Sequence, residues 1–401
     1  MSKRRYGGGS VSKYTYRNKT RSTTKWRWQL RTTDPDTGEE KHVGKSGYTT
    51  EKEALKGLAE ARERYATTGK AKASKLTVEQ FAQEWLDGRR VAPSTLQADI
   101  KIVRNHITPY IGSTALDALT ASRIKKLYTD LLKHGRKDRN HEGEPLSPNT
   151  VNKVHNVLQA ILDSAVHSRL IMVNPAKDPL VNAPKSKEIN AAKEEIAPWS
   201  AGQLKDFLAW SENVYRDDLF MLWHIYAVTG MRRGEALALR WSDFDPVNMT
   251  LAVRHAVDPA TPGGVKLPKG GKARVLDISA GDVQKLKAWR GLRAQLGFEL
   301  VKQDAYIFGN DSGGVRSPNE VSRRWRRRMS AATQQGLDVP VIKLHDLRHT
   351  HATLLLQAGV HPKVVQERLG HSTITITLNT YSHVIPTMQR GAVDSFTSLI
   401  A

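Results

Sequence analysis

The sequence predicts a multidomain protein: a small β-sheet plus helix N-terminal domain, then an all-α domain, then a mixed α+β, mainly helical domain. Three observations predict this order. The chain has 401 residues, more than a single core usually organises. Apolar residues alternate near the N-terminus, as in a β-strand, and recur with helical spacing after about residue 76. Residues 183–198 form a charged, weakly apolar stretch bracketed by prolines, which is typical of an interdomain linker.

The first predicted domain spans residues 1–70. Its first 33 residues contain ten Lys or Arg and no Asp or Glu, interleaved with tyrosines and tryptophans, a composition that suits nucleic acid. The segment Trp26–Arg31 alternates apolar and polar side chains, and residues 34–38 then turn the chain back as a hairpin. Thr50 and Glu53 form a capping box that begins the single helix. The alternative is a basic tail with one hairpin.

The second predicted domain spans residues 76–184 and is helical. Each helix start has a capping residue, at Thr77, Ser94, Thr120 or Ser122, and Ser147. Apolar residues recur at helical spacing, as in Val151, Val154, Leu158 and Ile161. These faces predict the core of a helical bundle.

The third predicted domain spans residues 196–401. A helix and the buried apolar run 219–228 open it, and the chain then turns at Thr229–Gly230. Strand-like segments follow at 251–257 and 273–278, so this domain is mixed although mainly helical. The glycine-rich hairpin between these strands lacks the spacing of a phosphate-binding P-loop.

The formal net charge of +22 and the pI of about 10.0 predict a polyanionic partner, and nucleic acid rather than a membrane surface. The longest apolar run is about half the length needed to span a bilayer, so no membrane partner is expected. A predicted helix after Ser317 carries five arginines around Trp325. Because five arginines cannot all point one way, this helix is either a phosphate-tracking face or a solvated basic face.

The absence of cysteine excludes disulfides, thiolate nucleophiles and Cys-based zinc sites. Any nucleophile must therefore be an oxygen or a nitrogen. The N-terminal residues are basic, but no apolar stretch follows them, so no secretory signal is predicted. We therefore expect the protein to stay inside the cell.

An anion site is predicted where His345 and Arg348 lie three residues apart. Asp346 suits a first helical turn, and the apolar residues that follow can bury one side of a helix. Residues three apart on a helix are neighbours, so the imidazole and the guanidinium point at one spot near a helix N-terminus, where a phosphate is favoured. For a lone pair of this kind, the alternative is a helix cap and a surface ion pair.

The pair is not alone, because four blocks follow one another along the chain: Thr229–Glu235, His345–Thr350, Leu369–Ser372 and Asn379–His383. In this order they resemble the tyrosine recombinase (phage integrase) family, and in particular an integrase of a phage or integrative element. The resemblance implies an arm-type DNA-binding domain at 1–70, a helical core-binding (SAM-like) domain at 76–184 and a tyrosine recombinase catalytic domain at 196–401.

Phosphodiester cleavage needs a nucleophile, cations on the non-bridging oxygens and a proton for the departing 5′ oxygen. Tyr381 is the candidate nucleophile, and we expect two arginines and a histidine to favour its phenolate. Arg232 and Arg348 clamp the scissile phosphate as charge builds in the transition state. His345 and His371 supply hydrogen bonds or proton transfer. The alternative for the tyrosine is a buried residue with its hydroxyl satisfied.

The resemblance also implies a general acid, a lysine on the β-hairpin. Alignment to the following strand indicates Lys269, with Lys266 and Lys272 as alternatives. The family often has Lys-Thr where this chain has lysine followed by glycine. Glu235, three residues after Arg232, is expected to orient the site rather than to react, and its alternative is an ordinary helical ion pair.

We expect no cofactor and no metal, because cationic side chains take the place of the metal. A zinc hydrolase built on His345, His349 and His351 fails on pattern, since H-E-x-x-H is absent and Asp346 is at the wrong offset. The expected partner is double-stranded DNA with attachment sites. The resemblance implies a homotetramer on paired DNA, and we expect an excisionase or a host DNA-bending protein as accessory partners.

Two functions of different class fit the sequence. The first is a site-specific DNA recombinase that cleaves and rejoins DNA through a 3′-phosphotyrosyl intermediate and so integrates and excises a phage or mobile element. The alternative is a catalytically silent DNA-binding protein of the same fold that acts by occupancy. Candidates at all six catalytic positions favour the enzyme.

Overall fold

The structure, a computed structural model, describes residues 4–6, 9–18, 21–33, 39–68, 76–192, 198–258, 260–261, 264–268, 270–381, 396–398 and 400. The chain packs as two compact units, residues 1–193 and 194–401. The predicted turn at 34–38 and the predicted general acid Lys269 lie outside the described residues.

The N-terminal part of the first unit is a four-stranded antiparallel sheet, ordered β1-β2-β3-β4, with one helix packed on it. Its strands are β1 Arg4–Tyr6, β2 Gly9–Asn18, β3 Arg21–Thr33 and β4 Glu40–Tyr48, and its helix is α1, Glu51–Thr68. Trp28 and Leu30 are buried while Arg27 and Arg31 are exposed, as the alternation predicts. The two hydrogen bonds of the predicted capping box before α1 are both present, at 3.2 Å. The first two strands were not predicted.

Close contact between α1 and the sheet depends on a glycine. A Cβ atom at Gly57 would lie 2.4 Å from the Tyr48 hydroxyl oxygen. That hydroxyl accepts a 2.9 Å hydrogen bond from the Trp28 indole, so the sheet presents a fixed surface to the helix.

The rest of the first unit is helical. Its helices are α2 Val78–Asp87, α3 Pro93–Ile102, α4 Thr108–Ile111, α5 Ala121–His134, α6 Pro148–His167 and α7 Ser186–Ala191. Thr77, Thr120 and Ser147 cap α2, α5 and α6 as predicted. The prediction of Ser94 as a cap is wrong, because α3 begins at the preceding proline, whose fixed φ suits a first helical position. Helix α7 also shows that part of the predicted linker is helical.

The second unit is a helical assembly with two small sheets. Its helices are α8 Ala201–Ala209, α9 Phe220–Thr229, α10 Arg233–Ala238, α11 Ala280–Leu296, α12 Pro318–Gln334, α13 Asp346–Gln357, α14 Pro362–Leu369 and α15 Ile374–Tyr381. Its strands are β5 Phe244–Asp245, β6 Thr250–Val253, β7 Ala256–Val257, β8 Val265–Lys266 and β9 Arg274–Asp277. Strands β5, β6 and β9 form one antiparallel sheet, and β7 pairs with β8.

Aromatic side chains fill the core of the second unit. Trp199, Phe207, Trp223 and Trp325 are fully buried and their rings contact one another. Helix α13 packs on α9 and on α14, and α14 packs on α15. This packing brings the ends of these helices together, and the predicted site residues lie there. Within the described ranges, no helix combines the length and apolarity needed to cross a membrane.

Candidate active site

Two glycines that end helices position the two predicted phosphate-binding arginines. Gly230 ends α9 with φ +63° and Gly370 ends α14 with φ +66°, a left-handed conformation that glycine adopts without strain. The Gly230 carbonyl accepts a 2.8 Å hydrogen bond from Arg348 Nη1, and the Gly370 carbonyl accepts one of 2.8 Å from Arg232 Nη2. The Thr-Gly and Leu-Gly-His blocks thus supply carbonyl groups that hold guanidinium groups.

The Gly230 turn also needs a glycine for space. A Cβ atom there would lie 2.6 Å from His351 Cδ2 and 2.8 Å from Leu369 Cδ2. Both neighbours are buried, so neither can move aside at low cost.

Arg348 lies in the buried part of the site, with 2% of its surface exposed. Burial lowers its pKa to about 10, and the charge of Arg232 acts in the same direction. The guanidinium therefore stays charged at neutral pH while its hydration is largely removed. A buried cation of this kind favours an anion in the site.

Glu235 joins Arg232 to a third arginine, Arg274, at the start of β9. Its carboxylate accepts hydrogen bonds from Arg232 Nη1 at 2.9 Å and from Arg274 Nη2 at 2.7 Å and Nη1 at 3.2 Å. Burial alone raises the pKa of Glu235, but the hydrogen bond and charge of Arg274 outweigh this and leave the pKa lowered. Glu235 is 1% exposed, so it orients the guanidinium groups from below the surface.

His345 and His371 approach the arginines from different elements. His345 precedes α13 and is exposed to solvent, yet the protein packed around it lowers its pKa to about 4, with further lowering by His349 and Arg348. The pKa of His371, in the turn after α14, is also lowered to about 4, first by burial and then by Arg348. Both rings are neutral at pH 7. They can donate or accept one hydrogen bond at each nitrogen.

Tyr381 ends α15, and its side chain is 2% exposed. Its hydroxyl is 2.9 Å from Nδ1 of His349. Burial raises its pKa to about 12, although the charge of Arg348 opposes this. Of the predicted cations, Arg348 does favour the phenolate, but desolvation of the phenolate outweighs this attraction.

Two clefts border this group of residues. The Arg233 cleft, of about 530 Å³, is lined by Arg232, Arg233, Arg326 and His345 among others. The Lys272 cleft, of about 510 Å³, is lined by Lys272, Arg274, Lys363 and His371 among others. Each contains several basic side chains, so both can take segments of a polyanion.

The candidate lysines differ in their surroundings. Lys266 Nζ lies 2.6 Å from Asp258 Oδ2 in an ion pair. Lys272 is exposed and lines the cleft beside His371. Lys269 lies outside the described residues.

The three histidines of the zinc alternative have different partners, although the rings of His345 and His349 contact each other. His349 contacts Tyr381, His351 Nε2 accepts a 3.2 Å hydrogen bond from Arg368, and His345 faces the Arg233 cleft. Among the described residues, no three His, Asp or Glu side chains are grouped so as to hold a metal ion.

Comparisons with known proteins assign this chain to a family. A family model described as the phage integrase family matches residues 199–388, and one described as the phage integrase N-terminal SAM-like domain matches residues 77–132. Together they cover more than half of the chain. The ICEBs1 integrase of Bacillus subtilis (strain 168) is 26% identical over 380 residues, which are 92% of this chain and 95% of that protein. The chain belongs to the phage integrase family.

Solved structures of integrases share the fold. A Tn1549 transposon integrase in complex with a circular intermediate DNA has a TM-score of 0.65 and 22% identity, covering 79% of this chain and 99% of that one. A lambda integrase tetramer bound to a Holliday junction has a TM-score of 0.56 and 17% identity, covering 87% of this chain and 94% of that one. With the family match, the protein is a tyrosine-type site-specific recombinase.

Sequence reasoning missed two residues of this recombinase's site. The sequence predicts Arg274 only as part of a strand, although a buried Glu235 needs more than one cationic partner, and that requirement points to it. The sequence indicates His349 only as a ligand in the zinc alternative. Its spacing of four residues from His345 places both on one helical face, and this signal was available.

Proposed function

We propose that this recombinase cleaves and rejoins DNA through a 3′-phosphotyrosyl intermediate, with Tyr381 as the nucleophile. The observation that carries the proposal is the convergence of Arg232, Arg348, His345, His371 and Tyr381 at the joined ends of α9, α13, α14 and α15. Two fixed guanidinium groups and neutral imidazoles beside a phenol are what attack on a phosphodiester requires.

Each residue has a role in this reaction. Arg232 and Arg348 bind the non-bridging oxygens of the scissile phosphate and stabilise the charge that develops there. His345 and His371 hydrogen-bond the same phosphate or its neighbours. Glu235 holds Arg232 in place through the 2.9 Å ion pair.

A lysine of the β-hairpin protonates the departing 5′ oxygen. The resemblance to the family indicates Lys269 for this role. Lys272 is the stronger of the two alternatives, because Lys266 is held by Asp258 whereas Lys272 lines the cleft beside His371. Replacing each lysine by alanine and measuring cleavage identifies the general acid.

The phosphotyrosyl bond keeps the energy of the phosphodiester, so a 5′ hydroxyl of another strand can reverse the attack without ATP. We place four protomers on two duplexes, by analogy with the lambda integrase tetramer on a Holliday junction. An integrating and excising role for a phage or mobile element follows the relatives, which are named integrases and include one that covers 92% of this chain. These relatives come from bacteria and phages, and the expected place of action is the bacterial cytoplasm, at the nucleoid. An excisionase or a host DNA-bending protein would determine whether recombination integrates or excises the element.

A suicide substrate nicked near the crossover tests the chemistry. The recombinase should form an adduct that survives denaturation, is removed by protease, is joined to the 3′ phosphate, and leaves a free 5′ hydroxyl. The alternative, a silent DNA-binding protein, gives a retarded complex that denaturant dissolves. That alternative has no support from the relatives, which are named integrases.

Residues 1–70 form a second DNA-binding region that reads arm sequences. The β2–β3 surface presents exposed Lys13, Tyr16 and Arg27 on strands. A second contact on the same DNA molecule raises the overall affinity roughly a hundredfold or more where geometry allows both contacts. This region regulates recombination rather than cleaving DNA.

A truncated protein that begins at Leu76 tests the arm-binding role. It should form the covalent adduct on a short crossover substrate but fail to recombine a full attachment site with arm sequences. Because Arg64 of α1 lies 3.5 Å from Asp117, circular dichroism must first show that the shortened protein is folded. Loss of adduct in a folded truncation, or full recombination by it, contradicts the arm-binding role.

A further inference from the structure

The hydroxyl of Tyr381 lies beside an imidazole nitrogen. In the part of the chain that the structure describes, its hydrogen-bond partner is Nδ1 of His349, at 2.9 Å, and the two ring centroids are 5.8 Å apart. His349 lies on α13 and Tyr381 ends α15, so the packing of two helices creates this contact.

The other two histidines of the site are placed differently. His371 Nδ1 is hydrogen-bonded to Thr377 Oγ1 at 2.8 Å. His345 contacts the His349 ring edge to face, with centroids 5.2 Å apart at 90°. Neither is hydrogen-bonded to Tyr381, so each is better placed to act on the phosphate than on the phenol.

His349 is neutral at physiological pH and can accept a proton. Burial lowers its pKa below 6.5, Asp346 opposes this and Arg348 adds to it. Among the described residues, the other titratable groups that face it are His345 just before its own helix, Tyr381 on α15 and His371 after α14. The carboxylate of Asp346 also favours the imidazolium that forms when the ring takes a proton.

The chemistry requires such an acceptor. Burial raises the pKa of Tyr381 to about 12, so its phenol is protonated at neutral pH. Attack through a pre-formed phenolate is therefore rare. A base that takes the proton as the new bond forms avoids this difficulty, because the oxygen loses its basicity when it bonds to phosphorus.

We propose that His349 is the general base that takes the proton of Tyr381 during DNA cleavage and returns it during rejoining. As the Oη–H bond breaks, its electron pair forms the Oη–P bond and the proton moves to His349 Nδ1. The P–O5′ bond then breaks, and its electron pair leaves on the 5′ oxygen, which takes a proton from the hairpin lysine. Rejoining reverses each transfer. This inference rests on the proposed phosphotyrosyl chemistry.

The full-length recombinase tests the role in single-turnover cleavage of a nicked suicide substrate, with protein in excess. His349→Gln keeps a hydrogen-bond acceptor of similar size but cannot take the proton, and His349→Ala leaves space for an added base. The exposed His255 provides a matched control, His255→Gln. A second substrate carries sulfur in place of the scissile 5′ oxygen, since a thiolate leaves without a proton.

The expected result is a loss of roughly 10²- to 10⁴-fold in the cleavage rate of His349→Gln, on the oxygen and the sulfur substrates alike. The His255 variant should cleave at the wild-type rate. Imidazole should restore His349→Ala, with a rate that rises with the basicity of the added base. The cleavage rate of the wild-type protein should decrease as the pH is lowered through a pKa below 6.5. The cleavage rates of the His349 variants should not show this decrease.

Three results would overturn the inference. His349→Gln within about threefold of wild type removes the residue from the mechanism. If His349→Gln cleaves the sulfur substrate at the wild-type rate, His349 instead donates a proton to the leaving 5′ oxygen. The third result is that His349→Ala cleaves slowly, shows no recovery with any added base and keeps the loss of rate at acid pH. That result would make His349 a structural contact only. If the wild-type protein forms no adduct at all, it is the proposed phosphotyrosyl chemistry that fails.

Discussion

The arginines of α12 and those of the site are held in contrasting ways. On α12, Arg323, Arg326 and Arg327 are exposed, and among the described residues they have no ion-pair partner. In the site, Arg348 is 2% exposed and bound to a carbonyl, while Arg232 and Arg274 are tied to Glu235. The exposed arginines of α12 can adjust to a DNA backbone of variable shape. The arginines of the site can bind one phosphate in one geometry.

The five arginines of α12 divide into two groups. Arg324 pairs with Asp218 and Glu320, and Arg328 pairs with Asp217 and Asp218. These two are structural, and the other three remain available to phosphates. The arginines that the protein holds in place can stabilise the transition state, whereas the exposed arginines of α12 can contribute to DNA affinity.

The largest expected effect comes from removing a fixed guanidinium. Arg232→Ala and Arg348→Ala should each slow cleavage at least about a hundredfold, as loss of one transition-state donor does. Arg233→Ala is the matched control, because the neighbouring side chain lines the same cleft but donates to Ser322. It should slow cleavage much less. Single-turnover adduct formation measures all three, and greater sensitivity at Arg233 would contradict the assignment of the first motif.

A smaller effect is expected from Arg274, which holds Glu235, the carboxylate that orients Arg232. Arg274→Gln should lower the maximal cleavage rate roughly tenfold at saturating DNA without changing DNA affinity, since a misoriented Arg232 binds the phosphate less well in the transition state. Arg274→Lys should recover part of this loss. Thermal denaturation must accompany the assay, because a buried Glu235 loses its strongest partner. A change in affinity with an unchanged maximal rate would place Arg274 on the DNA instead.

The smallest effect is expected on α12. Arg326→Ala should weaken DNA binding modestly and reduce the slope of log affinity against log salt by about one, with the cleavage rate at saturation unchanged. Arg324→Ala is the matched control, since its charge is neutralised within the protein. If both variants change the slope equally, the division of α12 into structural and DNA-facing arginines is wrong.

Much of the architecture could be predicted from the sequence, because local signals determine it. The alternation around Trp28, the capping residues Thr77 and Ser147, and the apolar periodicity of α6 depend on neighbours in the chain. The sequence does not predict the strands β1 and β2. Their basic and glycine-rich sequence has little apolar alternation, and the partner strand β3 provides the pairing.

The candidate site was predictable as a set of residues but not as a geometry. The motif blocks lead to Arg232, Arg348 and Tyr381, yet the carbonyl partners Gly230 and Gly370 emerge only when α13 and the ends of α9 and α14 are brought together. The effect of Arg348 on the pKa of Tyr381 could be predicted, but the larger effect of burial could not. A motif shows that a cation is near, whereas the extent of desolvation depends on packing between elements distant in sequence.

The central claim is that Tyr381 attacks the scissile phosphate. Its most direct test compares wild-type protein with Tyr381→Phe on a nicked suicide substrate, measuring DNA affinity and covalent adduct in the same samples. The variant should bind DNA with nearly unchanged affinity, because phosphate contacts elsewhere dominate binding. It should form no adduct, and the wild-type adduct should yield a peptide modified at Tyr381. An adduct that persists at the wild-type level in Tyr381→Phe would contradict the account.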